Sequence, residues 1–414
     1  MPAERSRGSC RGDQPPPSSL HASPSGALPL RAAGAPVRRA ARSLPVLALV
    51  ILFVLGCASV RPVDPSLVDR LGELLLVGFR GTEVEGNDEL RHLLCDLKVG
   101  GVIIFERDIA TQLPRNIASL EQLVRLTRDL QALARRCAGR PLLIAVDAEG
   151  GTVMRLSPRA GFSPTLGHGE LGELGDLALT ELEARRIGTM LREAGIAWNL
   201  APVVDIALNP FNTVVGEAGR AFSGDAERVT AHARVYLRGM RAAGILTTLK
   251  HFPGHGSSWA DSHLGFVDVT GTAIPALELR PYRELIAEGL ADSVMTAHVF
   301  NRDLDADAPA TLSRRTINYL LRGALGFGGV VVSDDLLMGA IRDHYGLEQA
   351  AVLALRAGVD VLLIANNTRG RETTGADRAR AAILEALAKG TLQTSAVESA
   401  LARIQRLHAR VGGF

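Results

Sequence analysis

Lysine is nearly absent from this chain. Of its 414 residues only Lys98, Lys250 and Lys389 are lysine, and the other basic residues are arginine. The bias reads as a codon effect, and it makes a lysine inside a polar motif more notable. Neither sign of charge is in excess. The formal net charge is +2, so nothing marks the chain as a nucleic-acid binder. Cysteine is scarce as well, with four in all, and no CxxC pair occurs, which argues against structural zinc. No GxGxxG loop follows the first strand-like run, which argues against a dinucleotide-binding sheet. No linker or composition shift divides the chain beyond residue 66. What remains is a globular balance, 47% hydrophobic and 22% charged, long enough for one large domain or two small ones.

The first 62 residues differ from the rest. Residues 1–36 are rich in Pro, Ser, Gly and Arg without hydrophobic periodicity, and read as a disordered or untranslated extension. A start at Val37 gives a compact leader. Arg38, Arg39 and Arg42 form its basic region, residues 44–55 its apolar region, and VLGC precedes the cut before Cys57. Residues 37–56 therefore resemble a bacterial lipoprotein signal peptide, with Cys57 the lipidated residue and residues 57–65 a linker. The apolar run is short for a membrane span. This pattern places the enzyme-sized remainder in the cell envelope, anchored to a membrane by lipid. Beyond Cys57 only Cys95 and Cys137 remain, too few for a disulfide framework; free, mostly buried thiols are the expectation.

From residue 66 short apolar runs alternate with amphipathic stretches. The runs are residues 74–79, 100–105, 141–147, 197–205, 246–252, 293–300, 329–335 and 359–366. They are continuous and rich in β-branched residues, as parallel strands buried on both faces should be. Helical patterns occupy 120–136, 225–244 and 274–290. Eight strands alternating with helices predict an α/β fold, a single (β/α)8 barrel of the TIM type. Active sites of such barrels lie at the carboxyl ends of the strands. Here those ends carry Asp147, Asp205, Lys250-His251, His298, Asp334-Asp335 and Asn366-Asn367. Turn chemistry alone does not explain six polar ends that include Lys and His.

The densest polar stretch is KHFPGHGSSWADSH, residues 250–263. His251 and His255 are four apart, yet Pro253, Gly254 and Gly256 exclude the helix that would make them a zinc pair. A solvated surface loop is the bland alternative, with His255 bonding backbone in a tight turn. The acid/base reading accounts for more. Asp261 can hydrogen-bond one nitrogen of His263 and fix its tautomer, leaving the other nitrogen for proton transfer. Residues 256–258 would let the loop move. The dyad needs a nucleophile, and Asp334 is the candidate. Asp334 and Asp335 cannot both face inward on an extended strand, so one is structural.

KHFPGHG, DSH and VVSDDLLMGA together resemble glycoside hydrolase family 3, in its bacterial β-N-acetylglucosaminidase branch. GGVIIFERD, LLIAVDAEGGTVMR, LAPVVDI, GRAFSGD and MTAHV agree, and the resemblance spans roughly residues 65–410. It implies a retaining reaction with Asp334 as nucleophile, His263 as acid/base and Asp261 as its partner. Most retaining glycosidases use a second carboxylate instead. The implied sugar contacts are Asp147, Arg155, Arg220, Lys250 and His251. Two departures exist: a longer segment, NTVVGEAGRAFSGD, surrounds Arg220, and Thr152 stands where relatives often carry Arg. The second α/β domain of larger members is missing, so one barrel must make the site. The implied substrate is terminal β-linked N-acetylglucosamine, on N-acetylmuramic acid of peptidoglycan fragments. No cofactor, metal or nucleic acid is called for. If the cell is Gram-negative, Ala58 after Cys57, rather than Asp, points to its outer membrane. The rival readings are a phosphorylase using the same residues, a β-glucosidase, and an inactive carbohydrate-binding lipoprotein.

Overall fold

The computed structural model describes residues 62–368 and 374–411. The extension 1–36, the leader 37–56 and Cys57 lie outside the described residues. Eight parallel strands make the sheet: β1 (Leu75–Gly78), β2 (Gly101–Ile103), β3 (Leu143–Val146), β4 (Trp198–Asn199), β5 (Leu246–Phe252), β6 (Ser293–Thr296), β7 (Val330–Val332) and β8 (Leu362–Ile364). Each falls inside one of the eight apolar runs. Leu75 pairs with Leu362, which joins β1 to β8. Val332 pairs with Val361 across the remaining gap, so the ring closes. The fold is the (β/α)8 barrel that the alternation predicts.

Every residue of β1, β2, β3, β6, β7 and β8 is buried. Their side chains fill the barrel on one face and meet helices on the other, which is why the runs are apolar without alternation. The helix Leu120–Ala138 shows how the outer ring is specified. Ser119 accepts a hydrogen bond from the Gln122 backbone N–H at its start, and Gly139 ends it at φ 68°. Leu123, Leu126, Leu130, Leu133 and Ala134 form its buried stripe. The pattern at 274–290 yields two helices rather than one, Pro275–Glu278 and Arg280–Ala287. Pro281, without an N–H, sits at the start of the second.

The cysteines correct the sequence reading. Cys95 and Cys137 are joined in a disulfide, not free. Cys95 lies in the helical turn His92–Asp96 and Cys137 in the last turn of Leu120–Ala138. These segments pack together and bring the two Cα atoms to 4.7 Å, within disulfide range. A separation of 42 residues gives no sign of that meeting. Among the described residues no helix is long and apolar enough to cross a membrane.

Candidate active site

The carboxyl ends of the strands surround a cavity of about 460 Å³. Asp147, Arg155, Arg220, Lys250, His251, His263 and Asp334 all line it. Asp261 stands behind His263. The residues singled out from the sequence thus converge, although they come from positions nearly 190 apart.

A row of alternating charges crosses one wall. The Lys250 ammonium donates to Asp147 Oδ1 at 2.8 Å and lies 2.7 Å from Glu149 Oε1. Arg220 grips Glu149 with Nε and Nη2, at 2.9 and 2.7 Å, and gives Nη1 to the Val214 carbonyl. Three of its five N–H groups are thereby engaged, so Arg220 can offer a ligand only the remainder. Arg155 completes the row, 3.9 Å from Asp147. Burial alone would raise the Glu149 carboxyl; Arg220 and Lys250 outweigh it and hold it well below the usual range. Lys250 is buried, which lowers an ammonium, but Asp147 and Glu149 reverse that and raise it. It stays a cation.

Glu149 was not among the sequence candidates. It sits in a short hairpin, Ala148–Gly150 against Val153–Met154. Gly151 turns the hairpin at φ 59°, and a Cβ on Gly150 would stand 2.1 Å from the Leu166 carbonyl oxygen. The DAEGG motif is therefore a packing requirement. The signal for Glu149 lay in Lys250: a buried lysine beside one aspartate and two arginines needs a second carboxylate.

The sequence marks Asp205 only as a strand end. It organises the polar loop. Its Oδ2 accepts from the His251 backbone N–H and lies 2.6 Å from His251 Nδ1, and its Oδ1 accepts from the His255 N–H. His251 Nε2 is left for the cavity. The His255 ring does not bond backbone, as its tight turn suggested; its nitrogens meet the Ser258 and Ser262 hydroxyls. Burial pushes His255 down to about 4, so it is neutral and structural.

Nor is 256–258 a hinge. A Cβ on Gly256 would lie 1.8 Å from the Ile206 carbonyl oxygen. Ser257 Oγ donates to Glu278, and Asn212 Nδ2 donates to Ser258. Trp259 and Ala260 are exposed, yet the Ala260 carbonyl still accepts from Ser258 Oγ at 3.2 Å.

The dyad follows. Asp261 Oδ1 is 2.7 Å from His263 Nδ1 and accepts from the His263 backbone N–H at 2.8 Å. His263 Nε2 stays available at the cavity. The segment is docked on the junction after β7, where Gly339 N–H donates to the His263 carbonyl and Ala340 N–H to that of Ser262. A Cβ on Gly339 would come within 2.9 Å of Leu264. The glycine of SDDLLMGA therefore lets the His263 loop approach the segment that follows β7 and bears Asp334.

Asp334 and Asp335 lie beyond the end of β7 and both line the cavity, so the alternation of an extended strand does not separate them; their hydrogen bonds and charge neighbours do. Burial would raise Asp334; His298, His251 and His263 outweigh it and bring it to about 2. It is an anion throughout the working pH range of a protein. Asp335 Oδ1 accepts from the Leu337 and Ala365 N–H groups, tying β7 to β8. Burial raises it to about 6. His298 bonds Thr311 Oγ1 and the Asp335 carbonyl, and burial lowers its basicity.

Asp335 carries a pH prediction. Its folded pKa lies above the unfolded value near 3.9, so its contribution is complete below that value and is lost as pH rises through 6. Asn resembles the protonated form. Relative to the parent, Asp335→Asn should therefore gain about 2 kcal/mol of unfolding free energy between pH 4.5 and 7. Urea unfolding at the two pH values measures it; a constant difference would refute the assignment.

Among the described residues no cluster of His, Cys, Asp or Glu is arranged to hold a metal ion. The model of the glycosyl hydrolase family 3 N-terminal domain matches residues 66–407. This chain belongs to glycosyl hydrolase family 3. Its relatives include a beta-hexosaminidase of Idiomarina loihiensis, 38% identical over 302 residues, covering 72% of this chain and 84% of the relative. One from Xylella fastidiosa is 40% identical over 299 residues, 70% and 83% of the two chains. Among solved structures, a family 3 beta-N-acetylglucosaminidase from Paenibacillus sp. superposes with a TM-score of 0.76 at 38% identity. That match covers 83% of this chain but only 62% of the longer Paenibacillus protein. The beta-N-acetylhexosaminidase of Beutenbergia cavernae gives 0.74 at 31% identity, covering 84% of this chain and 100% of that one. The chain is a glycoside hydrolase.

Proposed function

We propose that this glycoside hydrolase is a retaining β-N-acetylglucosaminidase. It removes terminal β-linked N-acetylglucosamine from peptidoglycan fragments. The observation that carries the reading is the pairing, in one cavity, of an ionised carboxylate with an imidazole oriented by Asp261. Asp334 is anionic among three histidines, and His263 reaches the cavity from the loop above it. The names of the relatives support the N-acetylated sugar.

In this mechanism an Asp334 oxygen attacks the anomeric carbon as the glycosidic bond breaks. His263 Nε2–H protonates the departing oxygen, and Asp261 steadies the charge that shifts through the imidazole. In the second step the neutral His263 takes a proton from water. That water displaces Asp334 and restores the β-anomer. Lys250, Asp147, His251, Arg155 and the unengaged donors of Arg220 hold the sugar hydroxyls. Charge-assisted hydrogen bonds of this kind can tighten at the transition state.

One feature favours a second reading. An imidazole at the acid/base position does not repel phosphate as a carboxylate would, and Arg107, Arg155 and Arg159 stand at the cavity. Phosphate could then replace water in the second step. The test compares p-nitrophenyl β-N-acetylglucosaminide with the β-glucoside, each with and without phosphate. Release from the N-acetyl substrate alone, indifferent to phosphate, is the expected result. A sugar phosphate as product would make the enzyme a phosphorylase. His263→Ala refines the test. It should slow poor leaving groups by about 10² to 10⁴-fold and activated aryl groups far less. Equal losses would remove the acid/base role.

We further propose that the enzyme works in the cell envelope on a lipid anchor at Cys57, at the outer membrane if the cell is Gram-negative. The leader-like sequence carries this proposal, and the Cys95–Cys137 disulfide supports an oxidising compartment. Activity found only in the inner-membrane fraction would count against it.

A further inference from the structure

The opposite end of the barrel holds a larger cavity, of about 640 Å³. It lies at the amino ends of the strands, beside Gly358 and Val359 that lead into β8. Arg314, Arg322, Arg356 and Arg403 line it, and no aspartate or glutamate does. Among the described residues, the one carboxylate bonded to any of these arginines is Asp360. It takes both Arg322 and Arg403. Arg314 lies over the Tyr319 ring and Arg356 has no carboxylate partner. Arg322 also donates to the Phe327, Gly329 and Gly358 carbonyls, while Arg314 and Arg356 are exposed at the cavity, so its open side presents positive charge with one anion behind it.

A second, independent feature points the same way. The helix Thr394–His408 begins at this cavity, with Ser395, Ala396 and Ser399 in its lining. Gln393 caps it without a side-chain hydrogen bond, and its first turn holds no acid. The Ala396 N–H turns back to the Gln393 carbonyl, and the positive end of the helix dipole faces the cavity with no acidic side chain beside it. The buried Arg322 Nε also has no partner. Guanidinium forks, hydroxyls and an uncapped helix start together match the oxygens of a phosphoryl group. The volume suits a small organic molecule.

We propose that this cavity is a binding site for the phosphoryl group of an anionic ligand, separate from the catalytic cavity. The source of the group is either a soluble phosphate monoester or a phospholipid headgroup.

Calorimetry on the full-length chain tests the site, with inorganic phosphate and glycerol 3-phosphate as probes. A second arm uses phosphatidylglycerol vesicles against phosphatidylcholine vesicles. The variant is Arg314→Gln with Arg356→Gln, two side chains that hold no ion pair in the fold. Unchanged hydrolysis of the nitrophenyl glycoside shows that the variant is folded. Saturable one-to-one binding, weakened at least tenfold in the variant and undisturbed by excess N-acetylglucosamine, is expected. Binding of the monoester in solution identifies a soluble ligand. Binding to phosphatidylglycerol vesicles alone, lost in the variant, identifies the headgroup. Equal binding by parent and variant, displacement by the sugar, or no binding in either arm would overturn the proposal.

Discussion

Asp334→Asn should lower turnover on every glycoside by roughly four orders of magnitude or more. The substitution keeps shape and keeps an oxygen for the Asp335 N–H that Asp334 now accepts. It removes the charge and the nucleophile together. Leaving-group ability should not rescue the variant, because bond formation to Asp334 begins the reaction. That separates it from His263→Ala, whose defect should shrink with good leaving groups. Initial rates on aryl N-acetylglucosaminides of graded acidity make the comparison. A variant keeping a few per cent of activity would displace Asp334 from the nucleophile's role, and Asp335, beside it on the strand end, would be the next candidate.

Glu149→Gln should be the most damaging change outside the reacting groups. Glu149 is buried at 1% exposure and holds both Arg220 and Lys250. Removing one member of a buried ion group leaves the others desolvated without compensation, a loss of about 3 to 5 kcal/mol. Gln fills the same space, so the loss would not come from a cavity. Urea unfolding should show it at neutral pH. Activity should fall too, since Lys250 would keep only Asp147 to place it. A loss under about 1 kcal/mol would mean that Asp147 alone satisfies both cations.

Much of the site was legible because its residues sit at strand ends. Asp147 follows β3, Lys250 and His251 fall in the last residues of β5, and Asp334 lies two residues beyond β7. A barrel gathers such ends at one rim. Asp261 and His263 were legible because their bond is local, across two residues. Glu149 and Asp205 were harder. Each acts on residues 46 to 101 positions away: Glu149 on Lys250 and Arg220, Asp205 on His251. Nothing in their own neighbourhoods shows those partners. Mobility at 256–258 was misread for a related reason. Gly-Ser-Ser is permissive as a sequence, but here the glycine admits a close backbone approach and both serines are bonded.

By itself, then, the sequence determined the eight strands, their parallel ring, the family and the Asp261–His263 contact. Continuous β-branched runs, polar strand ends and a two-residue contact are local properties that survive without coordinates. Only the tertiary structure decided that Cys95 meets Cys137, that Glu149 neutralises Lys250 and Arg220, and that four arginines share a cavity beneath the barrel. Those depend on which helix ends and loops pack together, and packing joins residues that chain order keeps apart.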